Sequence, residues 1–224
     1  MTDPEQRHIV SAFAFELAKV ETPAIRTRML GHLDIIHPSL GHHVAAALGL
    51  EGAAQKITPA IEPRALPPSP ALSMLLREPC LAGRTIGVLV ADGADGKLLS
   101  ELRRTIDAEG AQMVVVGPKI GGARAMNGTK IAIDQALGGA PSVLFDAVAV
   151  LGALDGDPAA VAWVRDAFAH LKVIGHHPDA TKLLDAAGVS RDVGVIAFDA
   201  KRSVKRFVEA ARAHRIWTRE AAPA

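Results

Sequence analysis

Residues 85–96 read TIGVLVADGADG, seven uncharged residues rich in valine and leucine followed by a glycine-rich turn with two aspartates. A short, continuous apolar run bounded by turn residues is the pattern of a strand covered on both faces, as in a parallel sheet. Residues 98–108 supply a helix that ends before Gly110, and residues 112–116 (QMVVV) form a second strand. The text from Arg84 onward repeats this alternation, the signature of strands joined by helical crossovers. Residues 147–151 (AVAVL), 172–175 and 193–198 are further strands. Residues 158–171, with Trp163 and Phe168 inward, residues 178–187, ended by Gly188, and residues 201–214 are the helices between and after them. Within residues 123–133, Asn127-Gly128 between short alternating stretches is a strong hairpin signal.

Upstream of this domain the pattern is helical. Asp3 can cap a helix with Pro4 at its first position, and Val10, Phe13, Leu17 and Val20 recur at spacings of three and four. Thr22-Pro23 starts a second helix lined by Ile25, Met29 and Leu33. Pro38 opens a third with Leu40, Val44 and Leu48 on one face and Gly49 at its end. Three such helices bury little surface by themselves, so they belong to something larger. Pro59, Pro63, Pro67, Pro68 and Pro70 then exclude helix and central strand, which makes residues 51–83 a linker. Its end, SPALSMLL (69–76), is apolar enough to lie along a surface. The expected organisation is therefore a helical segment over 1–50, a linker over 51–83, an α/β domain over 84–219 and a tail over 220–224.

Composition narrows the function classes. With 25 basic and 24 acidic side chains, the chain has no field of one sign to draw in nucleic acid or an anionic membrane. A single cysteine, Cys80, no signal segment and no run of about 18 apolar residues lead us to expect a cytoplasmic protein. No tyrosine is present, so no phenolate can ligate a metal or heme.

Three stretches of the α/β part, GRTIGVLVADGADG (83–96), VVVGPKIGG (114–122) and APSVLFDAVAVLG (140–152), closely resemble the added carboxy-terminal domain of large-subunit, clade 2 heme catalases. HIVSAFAFELAKVETPAIRTRML (8–30) resembles the closing helices of the catalase body, and SPALSMLL the linker that leaves it. The resemblance implies a flavodoxin-like three-layer sandwich, related to class I glutamine amidotransferases and intracellular peptidases, with a mainly parallel sheet. The family disproportionates hydrogen peroxide at a heme held in a barrel that would lie before Met1. Its distal histidine and asparagine and its proximal tyrosine have no matching positions here. The resemblance thus implies catalase ancestry without catalase chemistry in this chain.

The nucleophile turn of the related superfamily matches residues 172–179 (KVIGHHPD) and puts His177 where a cysteine stands. The acidic partner's position falls on Leu98 or Leu99, and Cys80 lies in the linker. His176 and His177 are residue types that act as bases or zinc ligands, but adjacent residues there diverge and lack a third ligand. His37, His42 and His43 flank a helix start and are expected to face solvent. In the loop 91–96 the carboxylates of Asp92 and Asp95 oppose phosphate binding, and Asp95 is placed to complement the helix amino terminus itself. Asp155 and Asp157, after Gly152, would gather a hard cation only if they converged with Asp92; Asp157 before Pro158 is placed to cap a helix. Lys201, Arg202, Lys205, Arg206, Arg212, Arg215 and Arg219 gather positive charge, yet Val204, Phe207, Val208 and Ala211 mark a surface helix with one face in the core.

We therefore expect no catalytic, cofactor-binding or metal residues, and no cofactor, heme belonging to the absent core. The expected role is structural and assembly-related, through self-association or a catalase core or subunit, without nucleic acid or membrane. Two other classes remain open: a hydrolase or glyoxalase with an altered turn, and a holdase-like chaperone using the apolar helices.

Overall fold

The computed structural model describes residues 1–64, 66–67, 69–73 and 78–220. They form two compact units, Met1–Glu78 and Pro79–Ala221.

The first unit contains α1 (Asp3–Ala18), α2 (Pro23–Ile36) and α3 (Pro38–Leu48). The cap of α1 is one residue earlier than the sequence suggests: Thr2 is the cap, and the Glu5 carboxylate at the third helical position accepts its N–H at 2.8 Å. With Thr2 as the cap, Asp3 falls inside the first turn and Glu5, not Gln6, takes the third helical position. Leu17, Leu30, Leu33, Val44 and Ala45 are the buried core, with Val10, Phe13, Val20, Met29, Leu40 and Leu48 packed against it. Ile25, expected on the apolar stripe, is 41% exposed, and Leu30 fills the interior instead. Gly49 ends α3 at φ 64°, a left-handed turn that glycine adopts without strain.

The start of the linker lies along these helices. Gln55 donates its N–H to the Thr27 carbonyl at 2.8 Å. Its own carbonyl, with Ile57, sits so close over Gly31 that any side chain there would collide with it. Farther on, Ser73 is buried and donates its hydroxyl to Glu5 at 2.7 Å. Of SPALSMLL, Ser73 docks in this way, whereas Leu72 is 72% exposed; its last three residues lie outside the described residues.

The second unit is a six-stranded, wholly parallel sheet between two helical layers. Its strands are β1 (Thr85–Val90), β2 (Gln112–Gly117), β5 (Gln135–Ala136), β6 (Ala147–Leu151), β7 (Ile174–His176) and β8 (Val195–Ala197), in the order β5-β2-β1-β6-β7-β8. The central β1 pairs with β2 and β6, so that Val88 lies between Val115 and Ala149. α4 (Gly96–Asp107) and α7 (Ser203–Arg212) cover one face with Leu102, Ile106, Phe207 and Val208. α5 (Pro158–Ala169) and α6 (Thr181–Ala186) cover the other with Trp163, Val164, Leu183 and Leu184. Leucine and valine alternate between the layers along β1: Ile86, Val88 and Val90 face the first, Leu89 the second. Gly87 keeps the second face open for the Phe145 ring.

The Asn127-Gly128 hairpin forms as β3 (Ala123–Arg124) and β4 (Lys130–Ile131), antiparallel. The strands expected over 172–175 and 193–198 are Ile174–His176 and Val195–Ala197, and two further details differ from the sequence reading. The helix expected over 178–187 begins as a 3-10 turn, Pro178–Ala180, before α6, and the two-residue β5 was not foreseen because it carries no apolar run. The segment before β1 already belongs to this unit's interior, since Leu81 is buried in it and Gly83 bonds to Gly110 at 2.9 Å.

Candidate functional site

In an open parallel sheet, ligands bind beyond the carboxyl ends of the strands, where the strand order reverses. Here that point lies between β1 and β6, facing the loops that follow Ala91 and Leu151. The chain fills it with its own groups. Asp95 accepts from the N–H groups of Lys97 and Leu98 at 2.8 and 3.2 Å, taking the amides of α4 that an anion would use. Asp92 accepts from the N–H of Arg124 at 2.8 Å and fastens the β3–β4 hairpin over the loop. Across the crevice, the ladder continues past the strands as Ala91 donates to Leu151 at 3.1 Å. Gly152 is the residue that lets Ala91 approach. Asp157 caps α5, accepting from Ala159 at 2.9 Å, and Asp155 faces Lys182 at 4.0 Å. Asp92, Asp155 and Asp157 therefore do not converge, and among the described residues no group of three His, Cys, Asp or Glu is placed to hold a metal ion.

His176 and His177 lie on this same edge. His176 is buried at the end of β7, its Nδ1 3.1 Å from the His177 carbonyl. Burial pushes its pKa below the usual histidine range, an effect that the bond to the carbonyl opposes. His177, at the position matched to a nucleophile, turns back to accept the Asp179 N–H at 3.3 Å and caps the 3-10 turn. Leu98 and Leu99, at the position matched to an acid, pack against the core. Cys80 is exposed and precedes β1, on the opposite edge of the sheet. His37, His42 and His43 are exposed in the helical unit, where His37 caps α3 through the Ser39 N–H.

A further polar network lies at the amino edge, where the sequence reading proposed no site. Lys172, at 0% exposure, donates to the Ser142 carbonyl at 2.5 Å, while the Ser142 hydroxyl bonds to Asp166. Asp146 accepts from the Thr85 N–H at 3.0 Å and lies 3.0 Å from His214 Nε2. Arg219 grips Asp192 with two nitrogens, at 2.6 and 2.9 Å, donates to the Lys172 carbonyl at 2.6 Å and stacks 4.3 Å from the Phe168 ring centre. Hydrogen bonding to Arg219 holds the Asp192 carboxyl below its usual range. Leu171 and His214 border this network at φ 60° and 73°, left-handed positions uncommon for side chains of their size. A lysine opening an apolar run reads as the exposed end of a strand, so no local signal marked Lys172.

The basic residues near the carboxyl terminus divide into two groups. Arg212 pairs with Glu109, Arg219 with Asp192, and Arg215 bonds to the Asp146 carbonyl, all within the α/β unit. Lys201 and Arg202, just before α7, and Lys205 and Arg206 on it are exposed, while the other face of α7 buries Val204, Phe207, Val208 and Ala211 as the spacing suggested. Among the described residues, no helix is long and apolar enough to cross a membrane.

Comparison with known proteins agrees with both units. Residues 82–221 match the family model described as the C-terminal domain found in long catalases, and residues 1–48 match the model described as catalase-related immune-responsive. The chain is 44% identical to Catalase C of Rhizobium meliloti, over 98% of this chain and 32% of that protein. It is 35% identical to Catalase HPII of Pseudomonas aeruginosa, over 99% of this chain and 32% of that protein. Catalase-2 of Bacillus subtilis is 26% identical, over 98% and 32%. The chain thus spans about a third of the length of the curated relatives it matches.

Proposed function

Since the chain belongs to the family of C-terminal domains found in long catalases, we propose that it is a non-catalytic structural and assembly region that works beside a peroxide-disproportionating body. The observation that carries this reading is the self-satisfied carboxyl edge: the amides, carboxylates and histidines there bond to one another. A reactive centre needs groups left available to a substrate.

Heme of the catalase kind does not fit the donor set of this chain, which has no tyrosine to ligate the iron. Peroxide chemistry therefore belongs, in this reading, to the length of the relatives that the chain does not match. The likeness to the amidotransferase superfamily is read as one of fold, since no thiol stands at His177. The single exposed cysteine supports a reducing, cytoplasmic setting. The pairing of Arg212, Arg215 and Arg219 inside the unit supports a role without nucleic acid or membrane.

Assembly is assigned to the helical unit, where Phe15 and Ile36 are 63% and 67% exposed. Large exposed apolar side chains of this kind favour a covering partner, either a second copy or a catalase body. The test is to purify the chain and measure heme absorbance, peroxide turnover and sedimentation, alone and with a long catalase lacking its C-terminal third. The expected result is no porphyrin and no turnover, with self-association or co-sedimentation that Phe15→Ser combined with Ile36→Ser weakens. Stoichiometric iron porphyrin on this polypeptide would overturn the reading. So would a monomer indifferent to the catalase body.

A further inference from the structure

Lys172 is fully buried in the α/β unit, and among the described residues its amine has one hydrogen-bond partner, the neutral carbonyl of Ser142. A buried charge with one bond is costly, whereas a neutral amine can keep the same bond. The groups around it come from every neighbouring element. Asp166 on α5 is engaged by Ser142 and lies 3.2 Å from His170. Asp146, before β6, is engaged by Thr85 and His214. Arg84 precedes β1, and its charge acts on Asp146 and His214. From the segment after α7 come His214, Arg215 and Arg219, the last held by Asp192 and bonded to the Lys172 carbonyl.

That segment is fastened directly over the lysine: Ile216 donates its N–H to the Leu171 carbonyl at 2.7 Å, and Arg215 bonds to the Asp146 carbonyl. We infer that the amino edge of the sheet is a proton-linked clamp, in which loss of one proton from buried Lys172 tightens residues 214–219 onto the α/β unit. The reason is electrostatic. While Lys172 is charged, Arg215 faces a like charge with little water to screen it; once Lys172 is neutral, the repulsion is gone and every hydrogen bond remains.

The direction with pH follows from linkage. Burial first, and then Arg215, push the Lys172 pKa down to about 8, against the pull of Asp166 and Asp146. An unfolded lysine keeps its proton until about 10.4, so across this window the unfolded chain binds more protons and stability rises with pH. His214 adds a smaller step of the same sign. Burial and Arg215 lower its pKa against its bond to Asp146, so stability also rises as pH climbs towards the ordinary histidine value.

The test compares urea unfolding of the full chain from pH 7 to 10.5 with that of Lys172→Met. The folding equilibrium constant of the wild type is expected to gain about a hundredfold over the variant across the window. Parallel profiles would overturn the proposal. Should the variant fail to fold, the wild-type chain labelled with 13C-lysine serves instead. One Cε resonance is expected to titrate near pH 8, and the Trp217 indole resonance to shift with the same midpoint. If every lysine titrates at ordinary values, or Trp217 is unmoved through the window, the clamp does not exist.

Discussion

Gly87 shows how much one residue fixes. It is the glycine of a strand that is otherwise Thr, Ile, Val and Leu, and a Cβ there would lie 2.5 Å from the Phe145 ring. Gly87→Ala is expected to destabilise the α/β unit by about 1–3 kcal/mol, read as a fall in the urea midpoint with an unchanged slope. Arg219 is the converse case, a side chain whose charge is fully used. Removing it leaves Asp192 without its cation and the Lys172 carbonyl without a donor, so Arg219→Ala should cost about 2–4 kcal/mol by the same measurement. Because Asp192 is held below its ordinary pKa chiefly by Arg219, its contribution is present above about pH 4 and is lost as pH falls through the folded value. The variant should therefore show a flatter acid limb than the wild type. Neither role was legible beforehand: Gly87 looked like one more apolar strand position, and Arg219 like one charge among many near the end of the chain.

At the scale of elements, much was legible because local chemistry repeats. Apolar runs fixed the strands, and Asp95 and Asp157 stand as caps where an aspartate precedes a helix. Each cap satisfies two amides, and Asp157→Ala is expected to lower stability by about 1 kcal/mol in thermal unfolding, with Asp157→Ser close to wild type. What could not be read is where elements approach one another. Nothing in the sequence of α2 says that Gly31 is a seat for the backbone of residue 55, yet Gln55 and Ile57 lie directly over it. Nor does KVIG announce that its lysine points inward, because that depends on a carbonyl thirty positions earlier. The carboxyl edge was read correctly for Asp95 and Asp157, whose partners are neighbours in sequence. It was read only in part for Asp92, whose partner Arg124 lies in the hairpin.

On the scale of the molecule, the two units differ in what holds them. Among the described residues the helical unit has five buried apolar ones, whereas both faces of the sheet carry extensive cores. A small core gives a small margin over chain entropy. Residues 79–221 expressed alone are thus expected to keep cooperative unfolding and amide protection, while residues 1–78 alone should lack both; hydrogen exchange on the two fragments checks this.

The sheet's two flanks have a further consequence. β5 pairs over two residues and β8 over three, so each outermost backbone offers a stub too short to template a new ladder. A neighbouring chain that met this domain edge-on would gain at most a few amide bonds and would fall away. Any lasting contact that this domain makes is therefore expected to form through side chains, which specify one orientation, and crowding of many copies is not expected to turn into runaway strand stacking.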